Sequence, residues 1–329
     1  MILAGDIGGT HARLALFDTQ QGRLRMRCES TYASKEFRGL DEIVMKFVAE
    51  QGQHPEAACF GIAGPVRNGR VETSNLPWIV ESSRLAKELG LGSVLLINDL
   101  EANAWGIGAL DAEHVVSLNQ VKSHPAGNQA VISAGTGLGE AGLYWDGKRY
   151  HVFASEGGHC DFAPRNELET RLLHYLVGRF GHVSYERVLS GPGLVNIFHF
   201  LRDSGSGQPP AWLMEEMIKG DPAAAISQAA MDGTCPLSGQ ALDLMISIYG
   251  AEAGNLALKV MSMGGMYIGG GIAPKVLPKL SSPLFMQAFL NKGRMQPLLE
   301  AIPVKVIMFE KTALYGAARF VAVQMGTMA

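Results

Sequence analysis

Cysteine is scarce in this chain, and no two of Cys28, Cys59, Cys160 and Cys235 stand at a metal-knuckle spacing. That speaks against a cysteine-rich zinc site and for incidental thiols in a reducing compartment. Neither sign of charge is in excess. Lys and Arg number 28 against 31 Asp and Glu, a net charge of −3. Such a balance gives no electrostatic reason to expect a nucleic acid or an anionic membrane as partner. A long apolar run is missing too. Residues 260–274 form an uncharged stretch of 15, but glycines interrupt it and it is too short to span a bilayer. The opening residues have no basic leader and no cleavage site, so a cytoplasmic chain is expected. No short repeat array is present.

What remains is a folded soluble chain, 47% apolar and 18% charged, with room for about two domains in 329 residues. Glycine is the outlier, at 40 residues, against roughly 7% of an average protein. The glycines cluster without a period. Clustered glycine means backbone that turns at positive φ or approaches something closely, and in a charge-balanced chain a phosphate is a common target.

Residues 2–6 and 12–17 read as strands joined by a turn at Gly8-Gly9-Thr10. Leu40, Ile43, Val44, Phe47 and Val48 recur at helical spacing. Residues 57–62 read as a buried strand. Ser82 or Ser83 is expected to cap a short helix that Gly90 ends. Residues 94–97 are a continuous apolar run ending in Asn98-Asp99, the carboxyl end of a strand where α/β folds place ligands. A helix follows over 100–110. Residues 131–133 start another strand, Gly135-Thr136-Gly137 turns it, and Leu143-Tyr144 lies on its return. The two glycine turns share one plan, which implies a duplicated unit.

Leu168, Leu172, Leu173, Leu176, Val177 and Phe180 mark an amphipathic helix. Residues 203–210 read as a loop and 222–263 as mostly helical. Residues 266–268 form a strand entering Gly269-Gly270-Gly271, 304–309 a last strand and 313–323 a last helix with small residues on one side.

Five segments can carry chemistry. Asp6-Ile7-Gly8-Gly9-Thr10 offers backbone N–H groups and a hydroxyl to phosphate oxygens, and Asp6 a hard ligand for magnesium through water. Its plain alternative is a hairpin turn. Gly135-Thr136-Gly137 offers a second phosphate cradle. Gly269-Gly270-Gly271 allows close approach of a flat group such as adenine, or is simply a tight turn. Asn98-Asp99 places a carboxylate that can accept a proton from an alcohol, and also suits a helix N-cap. Glu156-Gly157-Gly158-His159 has the donors and acceptors to read several sugar hydroxyls. Glu186 on its own reads as a surface glutamate.

Taken together the set resembles the bacterial glucokinases of the hexokinase–actin–Hsp70 superfamily, from Gly5 to the last helix. The long stretches Glu156-Gly157-Gly158-His159 and Glu186-Arg187-Val188-Leu189-Ser190-Gly191-Pro192-Gly193-Leu194-Val195-Asn196 carry the resemblance. It implies an α/β, two-lobed actin-like ATPase fold of ribonuclease H-like duplicated βββαβαβα domains with a cleft between the lobes. The lobes would be residues 1–109 with 302–329, and 110–301. It implies ATP-dependent phosphorylation of D-glucose at the 6-hydroxyl, with magnesium.

Residue by residue, Asp6, Gly8, Gly9 and Thr10 would form the first phosphate loop, with Asp6 near magnesium through water. Gly135, Thr136 and Gly137 would form the second, and Gly269 and Gly270 would border the adenosine. Asn98, Asp99, Glu156, His159 and Glu186 would bind glucose, with Asp99 as the base. Ala313, Gly316, Ala317 and Ala318 would let two helices cross closely at the hinge. A homodimer is expected, as relatives commonly are. His11 stands where relatives often carry Asn. The cysteine cluster of the related repressor–kinase group is missing, so its structural zinc should be absent, and no helix-turn-helix is expected before residue 1, which argues against the DNA-binding repressors of that group. The alternatives are a kinase for another hexose or an N-acetylhexosamine, and a sensor that binds sugar or nucleotide without turnover.

Overall fold

The first strand alternates between two apolar environments. Leu3 and Ile7 face one cluster, Ile2 and Ala4 another. Both faces of its sheet must therefore be covered by helices. The computed structural model describes residues 1–73, 76–122 and 125–328 and divides into two units. One holds Met1–His114, His151–Ala154 and Phe309–Ala329, the other Val115–Tyr150 and Ser155–Met308.

In the first unit β1 (Ile2–Ile7), β2 (His11–Gln20) and β3 (Arg23–Ala33) form an antiparallel meander. Helix α1 (Leu40–Gln51) leads to β4 (Ala57–Ile62), which pairs parallel to β1. A small ribbon of β5 (Arg70–Glu72) and β6 (Ile79–Glu81) precedes α2 (Ser82–Leu89). Strand β7 (Val94–Asn98) pairs parallel to β4, and α3 (Asp99–Ile107) follows at once. The sheet order is β3-β2-β1-β4-β7.

The expected Ser cap of α2 is not what forms. Glu81 occupies the N-cap in extended conformation with no side-chain bond, because β6 runs straight into the helix. The Ser82 N–H donates instead to the Gly69 carbonyl at 2.9 Å. Strand β3 had no counterpart in the sequence reading. It is an edge strand carrying Arg23, Arg25, Arg27 and Glu29, and such charges protect an edge while hiding it from an apolar pattern.

The second unit repeats the plan. The sheet runs β11-β10-β9-β12-β13-β8, made of β8 (Val115–Ser117), β9 (Gln129–Ala134), β10 (Leu138–Trp145), β11 (Tyr150–Ser155), β12 (Gly265–Gly269) and β13 (Val304–Ile307), with His151–Ala154 of the edge strand β11 grouped with the first unit. Again a hairpin, β9–β10, is followed by parallel neighbours, β12 beside β9 and β13 beside β12. Between β11 and β12 lie α4 (Glu167–Phe180), α5 (Gly191–Asp203), α6 (Ala211–Lys219), α7 (Pro222–Met231) and α8 (Pro236–Val260). Helices α9 (Leu277–Leu280), α10 (Pro283–Leu290) and α11 (Gln296–Glu300) separate β12 from β13.

In α4 only Leu172 and Leu176 of the expected apolar face are fully buried. Leu168, Val177 and Phe180 are exposed, and buried Glu169 joins that face through its ion pair with Arg165. Because β13 hydrogen-bonds between β12 and β8, the chain leaves this unit after Met308, not at the expected 302.

The last helix, α12 (Thr312–Gln324), belongs to the first unit and covers the Ile2, Ala4, Ala15 and Phe17 face of its sheet. It crosses α3 at backbone contact. A methyl group on Gly316 would overlap the Ala102 carbonyl oxygen and stand 2.6 Å from the Gly106 nitrogen. Among the described residues no helix is long and apolar enough to cross a membrane.

Candidate functional site

In the first unit the candidate residues gather at the carboxyl ends of β1 and β7. The turn after β1 is tied from below. The Gly8 N–H donates to the His11 carbonyl at 2.9 Å, and buried Ser34 donates its hydroxyl to the Gly8 carbonyl and its N–H to the Thr10 carbonyl, each at 2.9 Å. Ser34 was not among the residues singled out from sequence. It sits at the end of the unrecognised β3, so nothing local marked it.

Asn98 is the N-cap of α3. Its Oδ1 accepts from the Leu100 N–H at 2.8 Å, and its Nδ2 donates to the Gly64 carbonyl at 3.1 Å. Both ends of the amide are thus engaged in holding the strand end. Asp99 opens α3, and its carboxylate lies within the field of Asp6. Burial first, then the charge of Asp99, pushes Asp6 up to about 6, while Arg13, its register partner on β2, opposes the shift.

Asp6 thus has the like charge of Asp99 and the opposite charge of Arg13 in its field, and Arg13 is shared with Glu29 at 3.4 Å. Among the described residues no group of three or more His, Cys, Asp or Glu side chains could hold a metal by itself. The carboxylate oxygens of Asp6 and Asp99 are donors of the hard kind that a divalent cation takes directly or through water.

The raised Asp6 has a consequence for stability. Its folded-state pKa of about 6 exceeds the ordinary 3.8, so ionised Asp6 weakens the fold above pH 6 and the strain is relieved as pH falls from 6 towards 4. Asp6→Asn is expected to raise the melting temperature of the ligand-free protein at pH 7.5, by up to about 2 kcal/mol of stability. The advantage should close near pH 4, and turnover should fall. A lower melting temperature at pH 7.5 would contradict the charge pairing described here.

In the second unit the candidates converge on the end of β9 and the first residue of β10. Gly135 donates its N–H to the Gly137 carbonyl at 2.8 Å. Leu138 donates its N–H to Glu186 Oε2 at 3.0 Å, and a methyl on Gly137 would stand 2.5 Å from that same oxygen. Glu186, expected beside the sugar, is thus tied to the second glycine turn. The Gly191 N–H donates to the Gly135 carbonyl at 2.8 Å from the start of α5.

The Glu156–His159 loop lies on the same turn. A methyl on Gly158 would overlap the Leu138 carbonyl oxygen. Glu156 and His159 stand exposed on either side, with Oε2 and Nε2 3.9 Å apart. Gly270 follows β12 at φ +83°, where a methyl would overlap the Ala134 carbonyl oxygen. Of Gly8, Gly135, Gly137, Gly269 and Gly270, it alone has left-handed backbone; a methyl on Gly137 or Gly269 would crowd Glu186 or Ser133, whereas one on Gly135 would meet nothing within 4 Å. The structure thus brings together Asp6, Gly8–Thr10, Asn98 and Asp99 in one unit, and Gly135–Gly137, Glu156, His159, Glu186, Gly269 and Gly270 in the other.

A family model described as Glucokinase matches residues 3–324. A glucokinase of Nostoc sp. is 45% identical over 336 residues, covering 97% of this chain and 98% of the relative. Among solved structures, glucokinase from an Antarctic psychrotroph matches with a TM-score of 0.84 and 31% identity over 98% of both chains. A ROK family glucokinase from Streptomyces griseus, in complex with glucose and AMPPNP, matches in fold with a TM-score of 0.67 and 23% identity, covering 97% of this chain and 98% of that one.

Proposed function

The chain belongs to the glucokinase family, and on that premise we propose how its residues divide the work of phosphorylating D-glucose. The enzyme is a phosphotransferase that acts on glucose. In our reading ATP is the donor and the 6-hydroxyl the acceptor. The observation that carries the assignment of roles is the Asp6–Asp99 pair at the carboxyl ends of parallel strands, where two carboxylates act on each other.

Asp99 accepts the proton of the 6-hydroxyl as that oxygen forms its bond to the γ-phosphorus. The bond from phosphorus to the β,γ-bridging oxygen breaks, and ADP leaves. Asp99 then returns its proton to solvent. Glu156, His159 and Glu186 orient the sugar hydroxyls. The two glycine turns offer N–H groups to the phosphates, and Gly269 and Gly270 leave room for the adenosine. When bound, magnesium supplies charge neutralisation on the phosphates. The protein's share is positioning and fixed dipoles, as is general for phosphoryl transfer.

The same reading takes the two units as the lobes of an actin-like fold with ribonuclease H-like domains. Support comes from the shared plan of a hairpin followed by parallel strands. It also places a homodimer in the cytoplasm. The four free thiols fit a reducing compartment.

The test is ADP release from MgATP with D-glucose, mannose, fructose, N-acetylglucosamine and no sugar. Release with glucose should exceed release with each of the others. Release with another sugar in preference to glucose would overturn the acceptor, and no sugar-dependent release would overturn the kinase reading.

A further inference from the structure

Beneath the Glu156–His159 loop lies a buried acid pair that the reaction has not used. Glu140 on β10 and Glu252 in the middle of α8 are 1% and 0% exposed. Each lies in the other's field, and Glu140 Oε1 is buried with no donor among the described residues to satisfy it; two neighbouring buried carboxyls can bond to each other only with a proton between them. Glu252 also accepts from Asn255 Nδ2 at 2.8 Å and pairs with Lys259 Nζ at 3.3 Å.

Two arms leave this centre. A methyl on Gly157 would overlap Glu140 Oε2, so the backbone of the loop bearing Glu156 and His159 rests on that carboxyl. On the other side, Asn255 Nδ2 bridges Tyr185 and Glu252, donating to the Tyr185 hydroxyl at 3.1 Å and to Glu252 Oε2 at 2.8 Å. Tyr185 immediately precedes Glu186. One buried pair thus underlies both segments assigned to the sugar.

We propose that Glu140 and Glu252 share a single proton, and that this bridged pair positions Glu156, His159 and Glu186 for glucose. The proposal rests on the glucose kinase reading. Neither acid touches substrate; both act through the backbone of Gly157 and, by way of Asn255, the hydroxyl of Tyr185. Removing the proton leaves two adjacent buried anions, which repel. The groups that face them are Tyr249 and Lys259 on α8, Tyr185, Lys292 after α10, and the Arg165–Glu169 pair at the start of α4. Burial, then Glu252, pushes Glu140 up to about 8 against the pull of Lys259.

Glu140→Gln keeps a donor of the same size and cannot titrate. In the wild type the KM for glucose should rise about tenfold between pH 7 and pH 9, as the protonated fraction falls, with the KM for ATP flat. In E140Q the glucose KM should stay level over that range, and E252Q should behave alike. A second readout needs no turnover. In the ligand-free protein the melting temperature of E140Q should gain on the wild type as pH rises from 5 to 8, and the gap should level above 8. A glucose KM that is flat in the wild type, or that rises equally in E140Q, overturns the proposal, as do parallel melting profiles. Absence of glucose turnover in the wild type refutes the kinase reading instead, and the melting profiles then decide the pair alone.

Discussion

Asp99→Asn is expected to lower kcat by about 10²–10⁴-fold, the usual worth of a positioned general base. Folding and glucose binding should persist. Asn matches Asp in size and, like it, is tolerated at the start of a helix. The stability cost is the lost interaction of one carboxylate with the N-terminus of α3, at most about 1 kcal/mol. A compensation comes from Asp6, which Asp99 holds up by its charge. Without that charge Asp6 ionises more readily. The variant separates chemistry from binding: calorimetric glucose affinity should stay near that of the wild type while single-turnover ADP release collapses. Near-normal turnover would remove Asp99 from the role of base.

A second large effect is expected far from the substrate residues. Gly316→Ala should destabilise the protein by up to about 2 kcal/mol. Overpacking costs about 1–3 kcal/mol, and the clashing atoms here are the Ala102 carbonyl and the Gly106 nitrogen, backbone that moves only with its helix. Helix propensity returns only about 1 kcal/mol on going from Gly to Ala. Gly178 on α4 gives the opposite case. It is exposed, with nothing within 4 Å of an added methyl. Gly178→Ala should therefore stabilise by about 0.5–1 kcal/mol. Melting temperatures that move in opposite directions would support the crossing geometry. An unchanged G316A would mean that α3 and α12 do not approach this closely.

Features that act locally were legible in the sequence, and those that act across long separations were not. The β1 and β9 hairpins, α1 and the carboxyl end of β7 followed from period, glycine and apolar runs. Asn98 illustrates the limit of a local reading. Cap and ligand both suited it, and only the Gly64 carbonyl, 34 residues back, shows the amide held at both ends. Glu186 read as a surface residue because its partner, the Leu138 N–H, lies 48 residues away. Glu140 gave no signal at all. Gly139 and Ala141 flank it on β10, and Glu252 lies far along the chain on α8. The weak glycine turns gained meaning through family resemblance, since neither turn by itself excludes an ordinary hairpin.

The place of α12 bears on how the protein is made. Residues 312–324 are synthesised after the whole second unit, yet they cover one face of the first unit's sheet. Until they emerge, Ile2, Ala4, Ala15, Phe17 and Cys59 lie on a sheet face without its α12 cover. That leaves a nascent chain with an adhesive apolar surface for as long as nearly 200 residues take to translate, roughly 10–40 s at elongation rates of about 5–20 residues per second. Chaperone binding during translation should therefore map to this face.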